Sequence, residues 1–252
     1  VLNQPYGSFP WIDLPMTANE NWYNAHNFYG ELKELEAATL EDASAFFKTF
    51  YAPNNSVLAI VGDFDPAQAR AWTEKYFRGI AKVDQPAPPD LAEPRQEKEK
   101  RASRVDKLAN RPALGIAYHV PPRWTADWYA IGLIDQILAQ GPDSRVYDAL
   151  VQRTGLTTEV SAGINWGLGN MFNYEGPMLW MMAVYHDRDK SADSLLKVID
   201  VEIESLRATP VDSATLERAR TKMRSSLYSI VEEFSGLGKL DLLAAFALVE
   251  ND

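Results

Sequence analysis

The sequence predicts a two-domain α+β protein. Apolar runs of strand length stand beside longer stretches with helical 3.6-residue periodicity. Residues 83–101 interrupt both patterns with Pro86, Pro88, Pro89 and Pro94 followed by a charged run. The order apolar run, short acidic turn, amphipathic helix occurs on either side of that interruption.

The clearest unit runs from Phe50 to Phe77. Val57, Leu58, Ala59, Ile60 and Val61 form a continuous apolar run between Asn54-Asn55 and Gly62-Asp63, the pattern of a strand at residues 56–62 covered on both faces. Asp65-Pro66 then pairs an N-cap acid with a proline at the first helical position, so a helix is expected over 66–77 with Ala69, Trp72, Tyr76 and Phe77 buried. Upstream, Thr39 and Asp42 make a capping box for a helix over 39–51, whose Ala43, Phe46, Phe47 and Phe50 share one face. Residues 1–30 are aromatic and turn-rich, which predicts an ordered loop laid over a larger body.

Proline stiffens residues 83–101 and their charges keep them solvated, so they read as an interdomain linker with the boundary near residue 90. Beyond it, strands are expected at 103–109, 112–120, 157–164 and 178–185. Helices are expected at 128–138, 144–153, 191–207, 212–234 and 239–249. Residues 56–80 and 178–206 form a weak internal repeat, a pattern that any α+β protein also produces.

Composition excludes several function classes. With 46% hydrophobic residues the chain can build a sizeable core, and zero cysteines exclude disulfides and thiolate metal sites while leaving the redox compartment open. A formal charge of -10 argues against nucleic acid or an anionic membrane as partner. No apolar run approaches the roughly 20 residues that span a bilayer. The chain starts at Val1 without a basic or apolar leader and stops after an apolar run, so it is expected to be a fragment.

No catalytic or metal-ligating residue is assigned. His26, His119 and His186 are far apart, outside any HxxEH or HExxH spacing, and read as ordinary satisfied imidazoles. Gly163, Gly167, Gly169 and Gly176 suit a hairpin loop better than a phosphate cradle, since no strand-to-helix turn contains them. Glu41/Asp42, Asp63/Asp65 and Asp187/Asp189 are cap and turn acids, and Glu232 and Glu233 are expected to face water.

Tyr51-x-Pro53-Asn54-Asn55, followed by the apolar run ending Val61-Gly62-Asp63, resembles the insulinase/pitrilysin-type (inverted zincin, HxxEH) zinc metallopeptidases. Asn3-Gln4-Pro5-Tyr6-Gly7 resembles the segment after that family's third zinc ligand. Asp143-Ser144-Arg145-Val146 with Gly155-Leu156 resembles a landmark of its second domain. The resemblance implies two related α+β rolls of mostly antiparallel sheet flanked by helices, the first incomplete. Residues 1–85 would be the C-terminal half of the first roll, 86–101 the linker and 102–252 the second roll, truncated or not at its end.

It further implies a zinc endopeptidase for peptides or small proteins, zinc being held in the full-length parent or a partner subunit. Neither HxxEH nor its downstream Glu lies in this chain, which is therefore expected to be inactive by itself. Aligning Gly155-Leu156 places Val151 and Thr158 where active relatives carry an oxyanion-stabilising Arg and Tyr, with Arg153 off register. The implied partners are the rest of the peptidase or a homologous subunit, together with a peptide substrate. The implied compartment is the bacterial periplasm or another soluble one. The alternative is a non-catalytic structural or partner subunit of the same fold. If the first roll lacks strands, residues 57–61 should expose an apolar face and edge.

Overall fold

The computed structural model describes residues 4–233 and 237–249. They form two compact units, one of residues up to 28 with 91–227, the other of 29–90 with those from 228 onward.

The larger unit is an antiparallel sheet with helices on one face and an N-terminal segment on the other. Its strands are β1 (Ala113–His119), β2 (Ser161–Ile164) and β3 (Leu179–Tyr185), in the order β1-β3-β2. β1 runs antiparallel to β3 from Ala113 opposite Tyr185 to His119 opposite Leu179, and β2 pairs from Ser161 opposite Ala183 to Ile164 opposite Trp180. The sequence of β3, LWMMAVY, does not alternate because both of its faces are covered: every residue from Leu179 to Val184 is buried. Trp180, Met182 and Val184 meet Trp128, Leu150, Leu195 and Ile199 from the helices α5 (Ala126–Leu138), α6 (Arg145–Tyr147, continued by a π-helical turn to Arg153) and α7 (Ala192–Ala208).

Residues 4–28, including the short helix α1 (Asp13–Ala18), cover the opposite face. Tyr6 and Phe9 pack edge-on against Tyr185, and a Cβ on Gly115 would stand 2.7 Å from the Phe9 ring, so glycine makes room for that cover. The aromatic loop expected over a larger body is thus present, with α1 inside it.

Local signals place the helix starts. Thr125 and Ser191 accept hydrogen bonds from the amides of Trp128 and Ser194 at the heads of α5 and α7. α8 (Ser213–Val231) follows Asp212, which accepts the Thr215 amide at 2.8 Å; the expected extension to Phe234 reaches outside the described residues. One expected strand is absent: residues 103–109 are not a strand, because Asp106 turns the chain by accepting the amides of Leu108 and Ala109 and Arg104 reaches Ser8, Asp13 and Tyr6.

The smaller unit contains α2 (Leu32–Ala37), α3 (Leu40–Phe50), α4 (Pro66–Phe77) and α9 (Leu237–Val249). Thr39 and Asp42 form the expected capping box of α3, and Asp65 caps α4 through Ala67 and Gln68. The Asn pair of the Tyr-x-Pro-Asn-Asn segment holds the backbone together: Asn55 donates to Phe50 O, while Asn54 brackets Val83 at 2.9 and 3.1 Å.

Two expectations fail here. Residues 56–62 pair with no strand among the described residues, since no neighbouring edge is available to complete a ladder. The faces of α3 and α4 predicted to be buried are open, with Phe46, Phe47, Phe50, Trp72, Tyr76 and Phe77 all exposed. Val57, Leu58 and Ile60 are exposed as well, as expected of this segment standing without partner strands.

Burial therefore differs sharply between the units, and truncation should report it. Met182→Ala, at a side chain with 0% exposure, is expected to lower the unfolding free energy by about 2–5 kcal/mol. Leu58→Ala, at 57% exposure in this chain, should cost under about 1 kcal/mol; urea denaturation of the two variants checks the contrast.

Candidate functional site around the Gly155–Leu156 turn

The turn follows directly from the α6 segment. Its last residues, Asp148–Arg153, wind as a π-helix, and Gly155 at φ 59° reverses the chain so that the Leu156 amide reaches Leu150 O at 2.8 Å. Leu150, Val146 and Ala149 anchor the segment in the core. Val151 is half-buried and Thr158 is exposed, one on each side of the turn. A valine side chain donates no hydrogen bond, and the threonine offers one hydroxyl. Arg153 is occupied by the carboxylates of Asp148, at 2.7 Å, and Glu202.

The histidines are engaged separately. His26 stacks on Trp22 with centroids 4.4 Å apart and its Nδ1 meets Trp22 O at 2.9 Å. His119, at the end of β1, approaches Ala18 O through Nε2 at 3.4 Å. His186 is buried beyond β3 and its Nδ1 donates to Asp187 O at 2.9 Å, because a carbonyl oxygen can only accept. Among the described residues no three His, Asp or Glu side chains gather as a metal site, so the described donors do not fit a zinc ion.

The acidic pairs are spent on local structure. Thr39 side-chain and backbone hydrogen bonds hold the Asp42 carboxyl below its usual range. Asp65 is the α4 cap, Asp187 faces Arg111 at 3.3 Å, and Lys190 lowers Asp189. Glu232 and Glu233 are exposed. The glycine-rich stretch serves aromatic packing: a Cβ on Gly167 would fall 2.0 Å from the Trp11 ring, which itself sits 4.6 Å from Trp166. A depression of about 360 Å³ on α4 is lined by Pro66, Ala67, Arg70, Ala71 and Glu74, all from one helix, and so brings no groups together from separate elements.

Sequence reasoning passed over Asp135, the one acid in the apolar stretch Trp128-Tyr129-Ala130-Ile131-Gly132-Leu133-Ile134-Asp135. Its carboxylate is buried and accepts Trp180 Nε1–H at 2.7 Å and Gln140 Nε2–H at 3.1 Å. Burial raises its pKa, and the hydrogen bonds from Gln140 and Trp180 and the charge of Lys222 only partly offset that. Lys222 of α8 closes the end of α5 by donating to Gln136 O, Gln140 O and Asp143. The arrangement ties three elements together and leaves the carboxylate enclosed.

A family model described as the peptidase M16 inactive domain matches residues 37–223, most of the chain and both the Asn-pair segment and the Gly-Leu turn. The chain belongs to the peptidase M16 inactive domain family. It is 22% identical over 227 residues to the zinc protease PqqE of Helicobacter pylori, covering 88% of this chain and 48% of that protein. To the mitochondrial-processing peptidase subunit beta of Saccharomyces cerevisiae it is 23% identical, covering 79% and 44%. The chain thus spans about half the length of the curated relatives it matches.

Solved structures agree on the fold. A Pseudomonas fluorescens peptidase M16 inactive domain matches with a TM-score of 0.72 at 23% identity, covering 99% of this chain and 56% of that one. A chain of complex III2 from Candida albicans matches with a TM-score of 0.77 at 14% identity, covering 100% and 58%. At these identities the likeness is one of fold, an α+β assembly of antiparallel sheet and flanking helices.

Asp135 carries a pH signature. Its folded pKa lies above the unfolded value, so its contribution favours folding at low pH and is lost as pH rises through the folded value. Relative to Asp135→Asn, the unmutated chain should therefore lose stability as pH rises above the ordinary aspartate range of about 4. Urea unfolding of both proteins across that range checks it; parallel pH profiles would contradict the buried-carboxylate account.

Proposed function

We propose that this chain is the non-catalytic part of an insulinase/pitrilysin-type zinc endopeptidase that acts on peptides or small proteins, with the zinc ligands outside residues 1–252. One observation carries the reading: a member of the peptidase M16 inactive domain family has Val151 and Thr158 flanking the turn where the resemblance expects Arg and Tyr, while its three histidines are engaged apart. Residues 1–85 would then close a first roll, 86–101 would link, and 102–252 would form the second roll.

The remaining polypeptide, or a homologous subunit, would cover the open faces of α3, α4 and residues 56–62. The bacterial periplasm or another soluble compartment would house this chain, the cysteine-free composition fitting either equally. The resemblance in fold to a complex III2 chain and in sequence to a processing-peptidase subunit supports a second reading, a structural subunit of the same architecture.

Zinc content and cleavage of a quenched peptide separate these readings. Residues 1–252 alone are expected to hold no stoichiometric zinc and to cleave nothing. The full-length polypeptide, alone or with its homologous partner, is expected to do both. Stoichiometric zinc in residues 1–252 would overturn the assignment of the ligands elsewhere, and a zinc-free, inactive full-length assembly would favour the structural subunit.

The open apolar faces make a further demand. Prepared without the rest of its assembly, the 1–252 chain should self-associate at micromolar concentration, as exposed strand edges and aromatic helix faces do. Sedimentation velocity showing a stable monomer would argue that these faces need no cover.

A further inference from the structure

Residues 83–101 read as one continuous linker in the sequence, but the structure divides them. On the amino-terminal side, Val83 is held by the Asn54 side chain and Gln85 Nε2 donates to Thr49 O at 2.8 Å. On the other side the chain is fastened to the turn at residues 18–24. The Glu93 carboxylate accepts the Glu20 amide at 2.8 Å, the Asn21 amide at 3.2 Å and Asn24 Nδ2 at 2.7 Å. Asn24 Nδ2 also reaches Leu91 O, and Asn21 Nδ2 reaches Ala92 O. Farther on, Lys100 Nζ donates to Ala18 O at 2.9 Å and pairs with Glu20 at 3.1 Å.

We propose that Glu93 is a latch that fastens residues 91–100 to the larger unit, so that the joint between the two units in this part of the chain is confined to residues 86–89. Those four, Pro86-Ala87-Pro88-Pro89, are all exposed and lie between the two sets of anchors. Three prolines in four residues make a short, semi-rigid spacer, unlike a flexible coil of nineteen residues.

Glu93 is suited to the task. A carboxylate offers about four lone-pair sites, enough for the three donors that converge on it, two of which are backbone amides outside any helix or strand. Burial raises its pKa, yet the Glu20, Asn24 and Asn21 donors outweigh that and hold the carboxyl below its usual range, as expected of an ionised acceptor at the centre of the contact. Removing it would take this acceptor from all three donors at once, leaving Asn24 Nδ2 its bond to Leu91 O.

The chain has no cysteine, so single-site nitroxide labels test the latch directly. Labels at Ala87→Cys and at Ala92→Cys in the full chain are expected to differ, fast at Ala87 and strongly immobilised at Ala92. Adding Glu93→Ala should bring the Ala92 label toward the Ala87 mobility and speed hydrogen exchange of the Glu20 and Asn21 amides about ten-fold or more, while β3 amides keep their protection. Glu93→Gln, which keeps an acceptor oxygen, should fall between.

Equal mobility of the two labels in the otherwise unmutated chain would overturn the proposal. So would an immobile Ala92 label with unchanged Glu20 and Asn21 exchange in Glu93→Ala. If Glu93→Ala loses β3 protection, Glu93→Gln and the comparison of the two labels still decide the question.

Discussion

β3 is a seven-residue strand that needs cover on both faces, and the larger unit is organised to provide it. One face receives the side chains of α5, the π-wound segment and α7, which interdigitate with Trp180, Met182 and Val184. The other receives Tyr6, Phe9 and α1 from the far amino-terminal end of the chain, across a sheet surface kept low by Gly115. β3 is the central strand with both edges paired, so what the two covers shield is its apolar faces. The proline-rich connection is caught in the same logic. The turn that follows α1 is the surface on which Glu93 and Lys100 fasten it.

Polar groups in this unit are used up in holding elements to one another. Asp135 joins α5 to β3 through the Trp180 indole, Lys222 joins α8 to the end of α5, and Arg153 joins the π-wound segment to α7 through Glu202. Each of these groups is engaged by paired neighbours, and Asp135 is buried as well, so none stands ready as a general base or an oxyanion donor. The histidines follow the same rule, each ring turned to a nearby carbonyl.

The two units differ in kind. In the larger, apolar helix residues such as Trp128 and Leu195 are buried. In the smaller, the faces predicted from periodicity on α3 and α4 remain open, and residues 56–62 find no ladder among the described residues. Periodicity records what a segment was selected to bury and does not say where the cover comes from.

Local chemistry was legible from the residues alone. The Thr39–Asp42 box and the Asp65-Pro66 start act within a few residues, and their outcome needs no distant partner. The same holds for the continuous apolar run of β3 and for the family resemblance carried by Tyr51 to Asp63 and by the Gly155-Leu156 turn. Tertiary structure decided which acids are buried, which strands find edges and where the linker is held. Asp135 and Glu93 look alike in sequence to any exposed carboxylate; Trp180 lies 45 residues from the first and Glu20 lies 73 from the second. Residues 103–109 had strand composition, yet Asp106 and Arg104 found partners that a ladder could not match. Long-range contacts set desolvation and pairing, and those two quantities separate a fastener, a core residue and an open face among side chains of the same type.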